Sequence, residues 1–132
     1  MNADRTVAKL DQLTEAVIGC AFRVHNTLGC GFLEKVYENA LAHELRKAGV
    51  PAIQQHPVKV RYDGVVVGDY IADLFVDRRL IIELKAQPTL DDVVLAQTLN
   101  YLRAAGHSLG LVLNFGQPRL AIKRVVHQHR RD

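Results

Sequence analysis

Tyr70-Ile71-Ala72-Asp73-Leu74-Phe75-Val76-Asp77-Arg78-Arg79-Leu80-Ile81-Ile82-Glu83-Leu84-Lys85-Ala86 is the stretch that decides how this chain folds. It reads as two apolar strands joined by a charged turn. The second, Leu80 to Ala86, is nearly continuous in apolar residues, the pattern of a strand covered on both faces. Yet it carries Glu83 and Lys85, and the strand before it carries a lone acid, Asp73. Side chains alternate across a sheet, so Glu83 and Lys85 share a face with Ile81, while Ile82 and Leu84 point the other way. With Asp77-Arg78-Arg79 as a three-residue loop, Val76 faces Leu80, and counting back sets Asp73 opposite Glu83 on the same face. A two-residue loop would send the two acids to opposite faces.

An unpaired buried charge costs several kcal/mol, so each of these groups needs a partner. Two adjacent carboxylates repel, and one takes up a proton unless a cation lies between them. Lys85 is one candidate cation. The other is a divalent metal, Mg²⁺ or Mn²⁺, held by Asp73, Glu83 and the Leu84 backbone carbonyl, since hard ions prefer oxygen ligands. Beside a phosphodiester such an ion acidifies a bound water and offsets charge on the leaving oxygen. Lys85 would then orient the nucleophilic water or stabilise the phosphorane. A metal-free Asp-Glu-Lys cluster satisfied by hydrogen bonds is the structural alternative.

On the N-terminal side, Leu13, Val17, Ile18, Ala21, Val24 and Leu28 fall at helical spacing, with Gly29 as the stop. The turn Gly29-Cys30-Gly31 leads into a second helix with its apolar face on Leu33, Val36, Tyr37, Ala40, Leu41, Leu45 and Ala48. Glu34 begins that helix. An acid there favours the positive helix end, and it is also placed to be an additional, water-mediated metal ligand. Val58, Val60 and Tyr62 alternate with polar residues up to the hairpin signal Asp63-Gly64, and Val65 to Val76 follows as a long strand bent or bulged near Gly68. On the C-terminal side a helix from about Leu90 to Ala105 sets Gln97 and Tyr101 four apart on one face, either as boundary residues or as a phosphate- or base-binding pair. Strands at Gly110 to Phe115 and Leu120 to Val126 complete the order α-α-β-β-β-α-β-β. That is an α/β (α+β) class fold, a mixed central sheet flanked by helices.

Residues 1–132 are expected to form a single domain with frayed ends at 1–10 and 127–132. Apolar residues at 48% and charged residues at 23% exclude a disordered or collagenous chain. Cys20 and Cys30 read as free thiols of a cytoplasmic protein, and no apolar run is long enough for a membrane span. The net charge of +3 permits a polyanionic partner without demanding one. The tail, with Lys123, Arg124, His127, His129, Arg130 and Arg131 against Asp132, is either a solvated terminus or a phosphate-contacting one. None of the six histidines is spaced for zinc, and His25 reads as a packed or capping side chain, with an approach to the site as the alternative.

Gly31-Phe32-Leu33-Glu34-Lys35-Val36-Tyr37 carries the G-x-x-E-x-x-Y signature of the GxxExxY protein family. The resemblance continues through Tyr70-Ile71-Ala72-Asp73-Leu74, Glu83-Leu84-Lys85-Ala86, Gln97-x-x-Asn100-Tyr101-Leu102 and Gly110-Leu111-Val112-Leu113-Asn114-Phe115-Gly116, from about Ile18 to Arg124. That family is similar to the PD-(D/E)xK nuclease superfamily, with its restriction-endonuclease-like core. The resemblance implies Asp73 as the motif aspartate, Glu83-x-Lys85 as the E-x-K, Glu34 as the helical acid and Gln97-x-x-x-Tyr101 as the Q-x-x-x-Y element of superfamily exonucleases. It implies a Mg²⁺- or Mn²⁺-dependent nuclease acting on nucleic acid, DNA more than RNA. A minimal core with no separate recognition domain suggests weak sequence specificity alone, or a homodimer that builds a longer groove. Two departures are visible: Ala72 stands where the superfamily name has proline, and Val94 stands where many relatives carry a histidine. The latter supports an alternative, a catalytically weak nuclease-fold module that binds nucleic acid or a protein partner.

Overall fold

The computed structural model describes residues 3–127. Its elements are α1 (Ala3–Leu28), α2 (Glu34–Lys47), β1 (Ala52–Tyr62), β2 (Val65–Val76), β3 (Leu80–Lys85), α3 (Asp92–Ala105), β4 (Leu109–Asn114) and β5 (Ala121–Val126). This is the expected order. Helix α1 already includes residues 3–10, which the sequence predicts to fray, while His129, Arg130 and Arg131 of the basic tail lie outside the described residues. Gly29 ends α1 in the left-handed conformation, and Asp91 caps α3 by accepting from the Val93 N–H at 3.0 Å.

The five strands lie in chain order, β1-β2-β3-β4-β5. The first three are antiparallel, β4 runs parallel to β3 after the α3 crossover, and β5 returns antiparallel. The sheet is therefore mixed. Strand β1 begins at Ala52, ahead of the alternation at Val58, and tolerates Pro57 because it is an edge strand. Asp63 and Gly64 both take positive φ between Tyr62 and Val65, the two-residue turn their identities favour. The expected bulge is present: Val60 pairs with Gly68 and Arg61 with Val66, leaving Val67 as the extra residue.

Each face of the sheet carries its own core. Leu74, Val76, Leu80, Ile82, Leu84, Leu111 and Leu113 pack beneath α1 and α2 with Val17, Tyr37 and Leu41. Ala72, Phe75, Ile81 and Val112 pack beneath α3 with Val94 and Leu102. Strand β3 is thus covered on both sides, as its composition predicts.

The hairpin Asp77-Arg78-Arg79 has three loop residues: Val76 pairs with Leu80, Phe75 with Ile81 and Leu74 with Ile82. One departure from regular alternation follows. Tyr70 and Ala72 share a core with Phe75, whereas Leu74 and Val76 join the opposite one, so the pleat of β2 breaks at Asp73. Across from it, Gln55 adopts a left-handed φ of 55°. The sheet is kinked where the lone acid sits.

Candidate active site

The kink opens a cleft of about 160 Å³ lined by Glu34, Tyr70, Ile71, Asp73, Glu83, Lys85, Val94, Gln97, Thr98 and Tyr101. All the side chains singled out from the sequence therefore meet in one place. Strands β2 and β3 supply Asp73, Glu83 and Lys85 from the sheet. Helix α2 brings Glu34 at its first residue, and α3 brings Gln97 and Tyr101 on the face predicted by their spacing. Leu84 contributes differently: its side chain lies in the α1/α2 core, and its backbone N–H donates to Asp73 Oδ2 at 2.8 Å. The Asp73 N–H in turn faces Glu83 Oε2 at 3.4 Å.

Both strand acids are hard to ionise. Burial raises the Asp73 carboxyl above its usual range, outweighing the Leu84 hydrogen bond that favours its charge. Burial pushes Glu83 up to about 7. Glu34 and Glu38 raise both further, and Lys85 draws both down. Lys85 nevertheless makes no ion pair with either acid, unlike the pairing the sequence left open. Lys85 instead lines the cleft beside both acids.

Glu38 is the residue that sequence reasoning misses. It is buried one helical turn after Glu34, and its carboxylate accepts from Lys35 Nζ at 2.9 Å, Gln54 Nε2 at 2.7 Å and Gln55 Nε2 at 2.6 Å. The kink at Gln55 is what lets consecutive glutamines reach one acid. The signal in the sequence is the pair Glu34 and Glu38 at i,i+4, a repulsive spacing that needs compensation. Tyr70 is also unanticipated; it stacks face to face on Tyr101, and its buried hydroxyl has no hydrogen-bond partner among the described residues.

Tyr37 holds the loop that presents Glu34. Its hydroxyl donates to the Gly29 carbonyl at 2.6 Å and accepts from the Phe32 N–H at 3.2 Å, while its ring stacks on Phe115. His25 is a packed side chain, as expected, with Nε2 2.8 Å from the Gln117 carbonyl. Behind β3, Asn114 Oδ1 accepts from the Gln87 and Gly116 N–H groups, and its Nδ2 donates to the Gln87 carbonyl. That clamp fixes the chain just after Lys85.

Among the described residues, no three His, Cys, Asp or Glu side chains gather closely enough to hold a metal by themselves. The donors at hand are two desolvated carboxylates beside an open polar cleft. That set fits a hard divalent ion bound through few protein ligands, with water and substrate oxygens completing its shell.

Residues 11–125 match the family model described as the PD-(D/E)XK nuclease superfamily. The chain belongs to the PD-(D/E)XK nuclease superfamily. Superfamily nucleases generally use divalent metals, in keeping with the donor set. The crystal structure of SSO0001 is similar to this chain at a TM-score of 0.57 and 16% identity, a likeness of fold alone. The match covers 74% of this chain and 52% of that one, so this superfamily member spans about half the length of the solved chain it matches. No curated protein matches it. No helix among the described residues is long and apolar enough to cross a membrane.

Proposed function

We propose that this protein is a cytoplasmic, divalent-metal-dependent nuclease of the GxxExxY type that hydrolyses phosphodiester bonds in nucleic acid. The observation that carries the reading is the convergence of Asp73, Glu83 and an unpaired Lys85 in one cleft whose acids are held against ionisation. Asp73, Glu83 and the Leu84 carbonyl would hold Mg²⁺ or Mn²⁺, with Glu34 acting through water. The bound ion supplies Lewis acidity toward a water and a phosphoryl oxygen. Lys85 orients the attacking water and stabilises negative charge on the phosphorane. Gln97 and Tyr101 bind substrate from α3, and the Tyr70 ring packed on Tyr101 holds that phenol in place.

The test is cleavage of labelled DNA and RNA in Mn²⁺ or Mg²⁺, with DNA the expected substrate. Asp73→Ala and Lys85→Ala should each abolish cleavage; unaltered rates in either would identify a contaminating nuclease. The second reading, a binding module with little turnover, draws on Val94, which lines the cleft where many relatives carry histidine. It predicts an ion-binding isotherm that Glu83→Ala removes, with no cleavage of any substrate.

A further inference from the structure

A larger groove, about 600 Å³, lies beside the cleft between β1 and α3, lined by Lys59, Val60, Arg61, Asn100, Arg103 and Ala104. Among the described residues, three cations and no acid line it. Lys59 is engaged with Asp69 at 3.3 Å, but Arg61 and Arg103 are exposed and have no ion pair among the described residues. The bulge at Val67 falls opposite the Val60–Arg61 step, and a bulge re-aims the neighbouring side chains.

We propose that this groove is a second nucleic-acid contact site, in which Arg61 and Arg103 neutralise backbone phosphates of the strand leading away from the cleft. The inference rests on the nuclease reading for the identity of its ligand. Helix α3 lines both openings, Gln97 and Tyr101 on the cleft and Asn100 and Arg103 on the groove. Gln97 and Arg103 are separated by about 9 Å of helix, roughly two to three nucleotide steps. The guanidinium fork matches phosphate oxygens. Among the described residues, Val60 and Ala104 are the only apolar ones that line it, too little to anchor a protein partner, whose hot spots are buried aromatic or large aliphatic groups.

Binding of a fluorescent oligonucleotide is measured in EDTA, where cleavage is silent, across a range of salt concentrations. Each phosphate contact contributes about 0.7 to 0.9 to the slope of log K against log salt. Arg61→Ala/Arg103→Ala should lower that slope by about 1.5. The control Lys9→Ala/Lys47→Ala, on the helices of the opposite face, should leave the slope within about 0.3 of wild type. A wild-type slope in the arginine double variant overturns the proposal, and cleavage by the wild type would then leave the nuclease reading standing alone. A reduced slope in a protein that cleaves nothing supports the groove and removes the nuclease. Poly-glutamate binding that the arginine variant loses, with oligonucleotide binding unchanged, would assign the groove to an acidic polypeptide and overturn the proposal.

Discussion

The Asp73 carboxylate accepts from the Leu84 N–H at 2.8 Å while the Asp73 N–H faces the Glu83 carboxylate at 3.4 Å. The regular β2–β3 ladder ends one residue earlier, at Leu74 and Ile82. Side-chain oxygens thus replace the next backbone rung, and the two acids are positioned by the same bonds that hold the strand ends together. Asp73→Asn keeps an acceptor for Leu84 and removes the charge, so its stability should stay within about 1 kcal/mol of wild type. Asp73→Ala orphans a buried N–H and should lose about 1 to 3 kcal/mol. Both should reduce cleavage at least about a hundredfold, the scale of a lost electrostatic stabiliser. Urea midpoints and single-turnover rates separate the two effects.

Glu83 gives a pH dependence of defined sign. Its folded-state pKa of about 7 lies above its ordinary 4.5. Between those values the native state keeps a proton that the unfolded chain has released, so stability from this group is complete below 4.5 and is lost as pH rises through 7. The full shift corresponds to about 3 kcal/mol. Asp73, also raised, adds in the same direction. Glu83→Gln stays neutral throughout, so in EDTA it should be more stable than wild type at pH 8 and equal to it at pH 4. Mn²⁺ should raise the melting temperature of wild type at pH 8 and leave the variant unchanged. A variant that melts below wild type at pH 8 in EDTA would contradict this account.

These acids were legible because an odd loop, a two-residue period and a nearly apolar strand leave one register in which Asp73 and Glu83 meet. The helical pair Gln97 and Tyr101 was legible for the same kind of reason, a fixed spacing on a fixed period. Glu38 was not. It follows Tyr37 in a helix where a polar residue normally faces water, and its burial depends on Gln54 and Gln55 reaching across from β1. That contact exists because Gln55 takes a positive φ, a conformation that a glutamine does not announce. The break in alternation at Asp73 was hidden for the same reason, since a pattern count assumes an unbroken pleat. The free ammonium of Lys85 is a distance, and spacing fixes faces rather than distances.

Tyr37 should act on the site through the loop it ties. Tyr37→Phe keeps the ring on Phe115 but gives up the bonds to Gly29 and Phe32. The expected loss is about 1 to 2 kcal/mol of stability. Freed at its start, α2 would hold Glu34 less firmly, and cleavage should fall about five- to tenfold. In a Glu34→Ala background the same substitution should cost stability and no further activity, a coupling that a double-mutant cycle reads directly. Equal activity losses in both backgrounds would place the effect of Tyr37 elsewhere.

The chain leaving β3 is set by Gly116. A Cβ at this position would overlap the backbone of Ala86 and Gln87; the Asn114 side chain holds Gln87 with two hydrogen bonds and the Gly116 N–H with a third. Backbone cannot swing aside as a side chain does, so Gly116→Ala must displace the segment that follows Lys85. The expected loss is roughly 2 to 4 kcal/mol, with cleavage falling alongside because the ammonium moves with its strand end. Gly110→Ala is the comparison: its Cβ would press at 3.3 Å on the Ile81 carbonyl and Thr98 Cγ2, contacts relieved by shifts of a few tenths of an ångström. Its loss should be about 1 kcal/mol, with a near-normal rate. Melting curves and cleavage rates for the two alanine variants check the order, and a Gly110→Ala variant less stable than Gly116→Ala would show that the Asn114 clamp is not what fixes the end of β3.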